Sequence, residues 1–119
     1  MEFTKNSPIY QQIMEYIKHD IVAGKLEKDE KIPSVRELAV ELSVNPNTVQ
    51  HALSELEREN ILKSKRGLGR FVTDDEGIIK NMKKEEVKDL VENFTKTIKS
   101  LGFDLEETTS LVEEYFKGE

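Results

Sequence analysis

Asn47, Thr48, Gln50 and His51 fall within five positions of one another, and their side chains are of the types that read nucleic acid. An Asn or Gln amide offers a donor beside an acceptor, which matches the exposed edge of adenine. A Thr hydroxyl near a helix N-terminus suits a phosphate oxygen. Further on, Lys63, Lys65, Arg66 and Arg70 lie within eight residues that contain no acid. The local field, rather than the charge of the whole chain, decides phosphate binding. Gly67 and Gly69, inside that run, permit positive φ in a hairpin.

Positioning these groups takes two short helices and a hairpin, and residues 34–73 supply them. Ser34 and Glu37 have capping-box spacing and open a helix whose buried side is Val35, Leu38, Ala39 and Leu42. Ser43 and Val44 make a turn. Asn45 is suited to cap the next helix, with Pro46 at its first position. Val49, Ala52, Leu53 and Leu56 form the inward face of that helix, which turns Asn47, Thr48, Gln50 and His51 outward. Asn60 is a left-handed stop. Ile61–Lys65 and Arg70–Thr73 read as short strands joined through Arg66-Gly67-Leu68-Gly69. Two capped helices, a tight turn and a glycine-containing hairpin make a winged helix-turn-helix. This module lays one helix in the major groove of double-stranded DNA and its wing along the backbone or minor groove.

Upstream, Pro8–Ala23 reads as a first helix. Ile9, Ile13, Ile17 and Ile21 form its apolar stripe, with Tyr10 and Met14 alongside. Ser7 is the expected N-cap, Pro8 the first helical residue and Gly24 the stop. Ile32 is expected to pair briefly with the wing. Downstream of Thr73 the character changes. Asp74-Asp75-Glu76 opens a long helix, where negative charge meets the helix dipole favourably. Ile78, Ile79, Met82, Val87, Leu90, Val91, Phe94, Ile98 and Leu101 then recur at helical spacing up to Gly102. Asp104 and Glu107 form a second capping pair, opening a short helix expected to hold Leu111, Val112, Tyr115 and Phe116 inside. Such a helical hairpin buries too little to stand alone, so it must pack on the winged domain, on a second copy, or on both.

A chain of 119 residues, 35% charged and 36% hydrophobic, suits one small folded domain with an accessory element. Its net charge of −6 is unevenly distributed. Residues 1–73 hold 11 basic and 11 acidic side chains, whereas residues 74–119 hold 7 and 13, so the excess acid is all in the tail. With no cysteine, disulfides and thiolate metal sites are excluded. No secretory leader and no membrane-length apolar run is present, so a soluble, cytoplasmic protein is expected, with no membrane partner.

Enzymatic readings fail on inventory. His19 and His51 are the two histidines, and they lie in different helices. No serine sits in a Gly-x-Ser-x-Gly elbow. The Arg66–Arg70 stretch lacks the Lys-Ser/Thr and following helix of a phosphate-binding loop. No metal, cofactor or catalytic residue is expected.

The segments Pro33–Ala39, NPNTVQ, LERENIL and RGLGRFV, taken together in this order, resemble the GntR family of bacterial transcription regulators. The short two-helix tail is similar to its YtrA-like branch. The resemblance spans essentially the whole chain. It implies a homodimeric regulator, most often a repressor, that binds an inverted repeat and dimerises through its tail, with operons encoding membrane transporters as frequent targets. The dimerising residues would be Val87, Leu90, Val91, Phe94, Ile98, Leu101, Leu111, Val112, Tyr115 and Phe116. Matched residue by residue, the family's DNA contacts fall on Arg36 in the second helix, Asn45, Asn47 and Thr48 at the start of the third, and Gln50 and His51 one turn in. Gly67 and Gly69 fall at the wing tip. Lys63, Lys65, Arg66 and Arg70 would neutralise phosphates flanking the wing. Relatives in this branch commonly carry arginine where His51 stands, and histidine cannot make arginine's bidentate fork to guanine. Any small-molecule effector, its identity unknown, would have to bind at the dimer interface.

The expected architecture is α-rich (α+β): a winged helix-turn-helix over residues 1–73 and a helical dimerisation hairpin over residues 74–119. The expected function is sequence-specific DNA binding by a homodimer, with repression of a promoter as the expected sense of regulation. The competing readings are a winged-helix protein–protein adaptor and a non-specific architectural DNA binder.

Overall fold

The isoleucine repeat of the first helix sets the core. The computed structural model describes residues 1–118, and Glu119, the last residue of the expected tail, lies outside the described residues. Helix α1 (Ile9–Val22) turns Ile13, Ile17 and Ile21 inward. Helices α2 (Val35–Leu42) and α3 (Pro46–Arg58) meet that face with Leu38, Ala39 and Leu42, and with Val49, Ala52, Leu53 and Leu56. Ile13, Val49, Ala52, Leu53 and Leu56 are wholly removed from solvent. Burying a side chain of Leu or Ile size contributes about 1.5–3 kcal/mol, so this cluster is the main support of the domain.

Strands β1 (Leu62–Lys65) and β2 (Gly69–Val72) pair antiparallel, with Leu62 opposite Val72 and Lys65 opposite Gly69. Leu62 and Val72 point into the core. The segment before α2 joins this hairpin: the Ile32 N–H donates to the Arg70 carbonyl at 3.0 Å, and the Val72 N–H donates to the Glu30 carbonyl at 2.8 Å. Lys31 bridges Phe71. Thr73, a buried polar residue, has its N–H on the Ile61 carbonyl and accepts the Asp75 N–H at its hydroxyl.

Two details differ from the sequence reading. Pro8, with extended backbone, occupies the N-cap position of α1 without a side-chain cap bond, so Ser7 does not cap the helix. Gln12 reaches back instead, its amide donating to the carbonyls of Thr4 and Ser7. The division of the chain also falls later than Thr73. The first compact unit runs Met1–Lys83, because Ile78, Ile79 and Met82 at the start of helix α4 (Glu76–Ser100) pack against the winged core.

The second unit, Lys84–Glu119, holds the rest of α4 and helix α5 (Leu105–Phe116). Asp104 and Glu107 form the expected capping box of α5. Leu111, Val112, Tyr115 and Phe116, however, are not inside: Tyr115 is 78% and Phe116 87% exposed. Two helices of this length offer each other too little surface to cover both apolar faces, and no residue of α5 is buried.

Candidate nucleic-acid interface

The outward face of α3 owes its position to two caps and one turn. Ser34 Oγ accepts the Glu37 N–H at 3.2 Å, and the Glu37 carboxylate accepts the Ser34 N–H at 3.0 Å. That backbone donor holds the Glu37 carboxyl below its ordinary range. Ser43 adopts the left-handed conformation (φ 56°) and turns the chain between the helices. Asn45 Oδ1 then accepts the Asn47 N–H at 2.8 Å, with Pro46 following. The cap therefore occupies the Asn45 amide oxygen and leaves its amide nitrogen to the outside.

On the face so formed, Asn47 is exposed and Thr48 half-buried, and neither side chain has a hydrogen-bond partner among the described residues. Gln50 is exposed and lies along the helix, its amide donating to Ser54 Oγ at 3.0 Å. His51 is exposed, with its side chain lying against α1. Its ring stacks on Tyr10 of α1, with centroids 3.9 Å apart and planes 19° apart, and its Nε2 lies 3.7 Å from Glu55.

Arg36 is exposed on α2 and makes no ion pair among the described residues, so pairing with Glu37 or Glu41 does not account for it. The basic run of the wing is another matter. Lys63 lies 3.1 Å from Asp29 and 3.3 Å from Asp74, and Lys65 lies 3.2 Å from Asp29 and 4.2 Å above the Phe71 ring. Arg70 pairs with Glu57 of α3. The bonds from Lys63 and Lys65 hold the Asp29 carboxyl below its usual range, and Asp29 pushes Lys63 up. Three of the four basic wing residues are thus neutralised from within, and Arg66 at the tip has no ion pair among the described residues.

The tip itself is bare. Gly67 (φ 77°) and Gly69 (φ 110°) flank the exposed Leu68 in backbone conformations that side chains seldom adopt. A Cβ on Gly67 would meet nothing within 4 Å, whereas one on Gly69 would sit 3.1 Å from Lys31 Cε. A groove of about 480 Å³ runs between the start of α2 and the wing, with Lys31, Ser34, Lys65, Arg66 and Gly67 among its walls.

An exposed polar helix N-terminus beside a cationic, glycine-tipped wing is the arrangement of a winged DNA reader. Residues 9–72 match the family model described as bacterial regulatory proteins, gntR family. The chain belongs to the GntR family. GntR proteins are DNA-binding transcription regulators and not enzymes. Among relatives, an uncharacterized HTH-type transcriptional regulator of Bacillus subtilis, YhcF, is 36% identical over 98% of this chain and 97% of its own length. The HTH-type transcriptional repressor YtrA of the same organism is 40% identical over 72% of this chain and 70% of its own. A GntR family transcriptional regulator from Listeria monocytogenes superposes with a TM-score of 0.84 at 40% identity, covering 94% of this chain and 98% of that one. The DNA-binding domain of AraR, solved in complex with operator ORX1, matches with a TM-score of 0.56 at 32% identity, over 61% of this chain and 93% of that one. The GntR fold and the recognition made from the sequence motifs stand.

Sequence reasoning overlooked the residues that partner the expected contacts. Tyr10 was read only as part of an apolar stripe, and Asp29 and Glu57 only as charges. No local pattern marks them, because each reaches its partner across the fold. Lys31 was the more legible omission, since it precedes Ile32, the residue expected to pair with the wing.

Proposed function

We propose that the chain is a homodimeric repressor that reads an inverted-repeat operator, with the wing tips reaching into flanking grooves. Within this reading, Asn47, Thr48 and Gln50 face the major groove, the Asn45 amide and the α3 N-terminus meet a phosphate, and Arg36 and Arg66 contact the backbone. Gly67 and Gly69 bring the wing backbone close to the DNA. The observation that carries the proposal is the unpartnered set Arg36, Asn47, Thr48 and Arg66, grouped around helix α3 and the wing tip.

Dimerisation through the tail is supported by its exposed apolar surface. Leu90, Val91, Phe94, Leu101, Tyr115 and Phe116 are each 45% exposed or more. A second copy is the occupant, because a symmetric operator needs a symmetric reader. A cytoplasmic location belongs to this reading, since its DNA target lies there; no described helix is long and apolar enough to cross a membrane. A membrane-transporter operon is the class of target that likeness to the YtrA branch supports.

The deciding experiment is selection of binding duplexes from a random pool by the purified protein. The expected product is an inverted repeat with half-sites about 34 Å apart or a multiple of it. With Arg36, Arg66 and Lys31 as the cations around α3 and the wing tip that have no ion pair among the described residues, log K should fall with log salt at a slope of about −5. Recovery of no consensus, at a salt where the protein is a folded dimer, favours an adaptor or an architectural binder instead.

A further inference from the structure

Two ammonium groups of the wing converge on one carboxylate oxygen. Lys63 Nζ and Lys65 Nζ lie 3.1 and 3.2 Å from Asp29 Oδ1. Two residues apart on β1, they project from the same face of the strand. Asp29 is fixed there by its backbone: it holds a left-handed conformation (φ 63°), and its N–H donates to the Val72 carbonyl at 3.0 Å. Asp74, two residues past the end of β2, takes Lys63 at 3.3 Å. The four side chains sum to zero charge. Phe71, directly opposite Lys63 on β2, carries the Lys65 ammonium over its ring.

Two ammonium groups around a single anionic oxygen is also the arrangement that would hold a DNA phosphate. A carboxylate attached to the same chain is always present at high effective concentration. A phosphate must displace it, and exchanging one anion for another leaves little net gain. Non-specific binding draws on the number of phosphates neutralised, because each releases condensed counterions from the DNA.

We infer that Asp29 is a specificity-determining residue, an internal stand-in for DNA phosphate that withholds Lys63 and Lys65 from backbone contacts. Sequence-blind affinity is kept low, and discrimination is left to the start of α3 and the wing tip. The inference rests on the proposed reading of the chain as an operator binder. It adds a role for a residue that would touch no DNA.

The substitution Asp29→Asn isolates the charge. Asn is nearly isosteric with Asp and tolerates the left-handed backbone, so the bond to Val72 can persist. Affinity for a random duplex at moderate salt should rise about tenfold, with the salt slope steeper by about 1 per protomer, as Lys65 neutralises one further phosphate while Lys63 keeps Asp74. Operator affinity should rise no more, so the operator-to-random ratio stays level or falls.

A second variant, Asp29→Asn/Lys65→Ala, guards against a change in folding. It returns the cluster to zero charge, with Lys63 keeping Asp74 at 3.3 Å. The gain of Asp29→Asn for the random duplex and its steeper salt slope should both be lost, returning to wild-type values. Thermal melts of each variant establish that the fold is retained. An unchanged slope in Asp29→Asn overturns the inference, as does a gain that persists in the folded double variant, which would then not come from Lys65. Failure of the wild-type protein to bind any selected duplex removes the operator-binding reading and this inference with it. Wild-type binding with no effect of Asp29→Asn removes the inference alone.

Discussion

The Tyr10 ring lies flat against the His51 ring, which ties the first turn of α1 to the second turn of α3. The stack holds the His51 ring toward α1, while half of its side chain stays exposed. His51→Ala should lower stability by about 0.5–1.5 kcal/mol through loss of the stacked pair, measured by urea unfolding. The same variant should leave the operator preference unchanged when binding is titrated against single-base operator variants. A lost preference at one base pair would return His51 to the reading face.

The two wing glycines should separate in their behaviour. Gly69→Ala forces an alanine to φ 110° and pushes on Lys31, so denaturant unfolding should show a loss of about 1–3 kcal/mol. Gly67→Asn suits the left-handed backbone and meets no neighbour, so stability should change by less than about 1 kcal/mol. Its effect should appear instead in gel-shift affinity, as a fall of about tenfold or more, since the new side chain intrudes where the tip meets DNA. Unaltered affinity would leave Gly67 as a turn residue and nothing else.

Acid should weaken the wing before it touches the core. Asp29 is held below its ordinary range by bonds from Lys63 and Lys65, Glu37 by the Ser34 N–H, and Glu76 by Lys28. Each carboxyl binds a proton less readily folded than unfolded. Its contribution is therefore full above the unfolded value, about 4, and is lost as pH falls through the lower folded value. Lys28 and Lys63 are raised, so their contributions are lost only as pH climbs through folded values above about 10.4. Thermal melts should show a flat Tm from about pH 5 to 9 and a decline below about 4. Salt should shrink that decline, because the pairs are exposed and screened. A Tm that drops between pH 7 and 5 would point to other groups.

Placing charge on the exposed tail face should divide the proposed dimer without unfolding the winged unit. Phe116→Asp and Leu111→Asp should shift the sedimentation profile to the monomer at micromolar concentration. The far-ultraviolet signal of α1 to α3 should persist. Operator affinity should fall by a factor of about 100 or more, as two half-sites no longer share one reader. A dimer that survives both substitutions would place the interface elsewhere.

The apolar periodicities, the caps at Ser34 and Asn45 and the left-handed stop at Asn60 were legible because each is a local signal, spanning three or four residues. The glycine hairpin was legible for the same reason. Charge placement was not. Lys63, Lys65 and Arg70 form an acid-free run along the chain, yet Asp29, Asp74 and Glu57 close on them through strand pairing and helix packing. Ser7 illustrates the limit at a cap. Its position before Pro8 suited capping, but Gln12 took up the local carbonyls and the helix began one residue later. The apolar spacing of α5 identified an inner face without revealing what would cover it.

Every residue of the winged core lies before Lys84, with Ile32, Leu62 and Val72 closing it and Ile78, Ile79 and Met82 packing on afterwards. During synthesis the chain emerges N-terminus first and folds by units in that order. The complete set of core side chains is therefore available before the last turns of α5 are made. A nascent chain can therefore assemble the polar face of α3 and the wing before Tyr115 and Phe116, the residues proposed to meet a second copy, have left the ribosome.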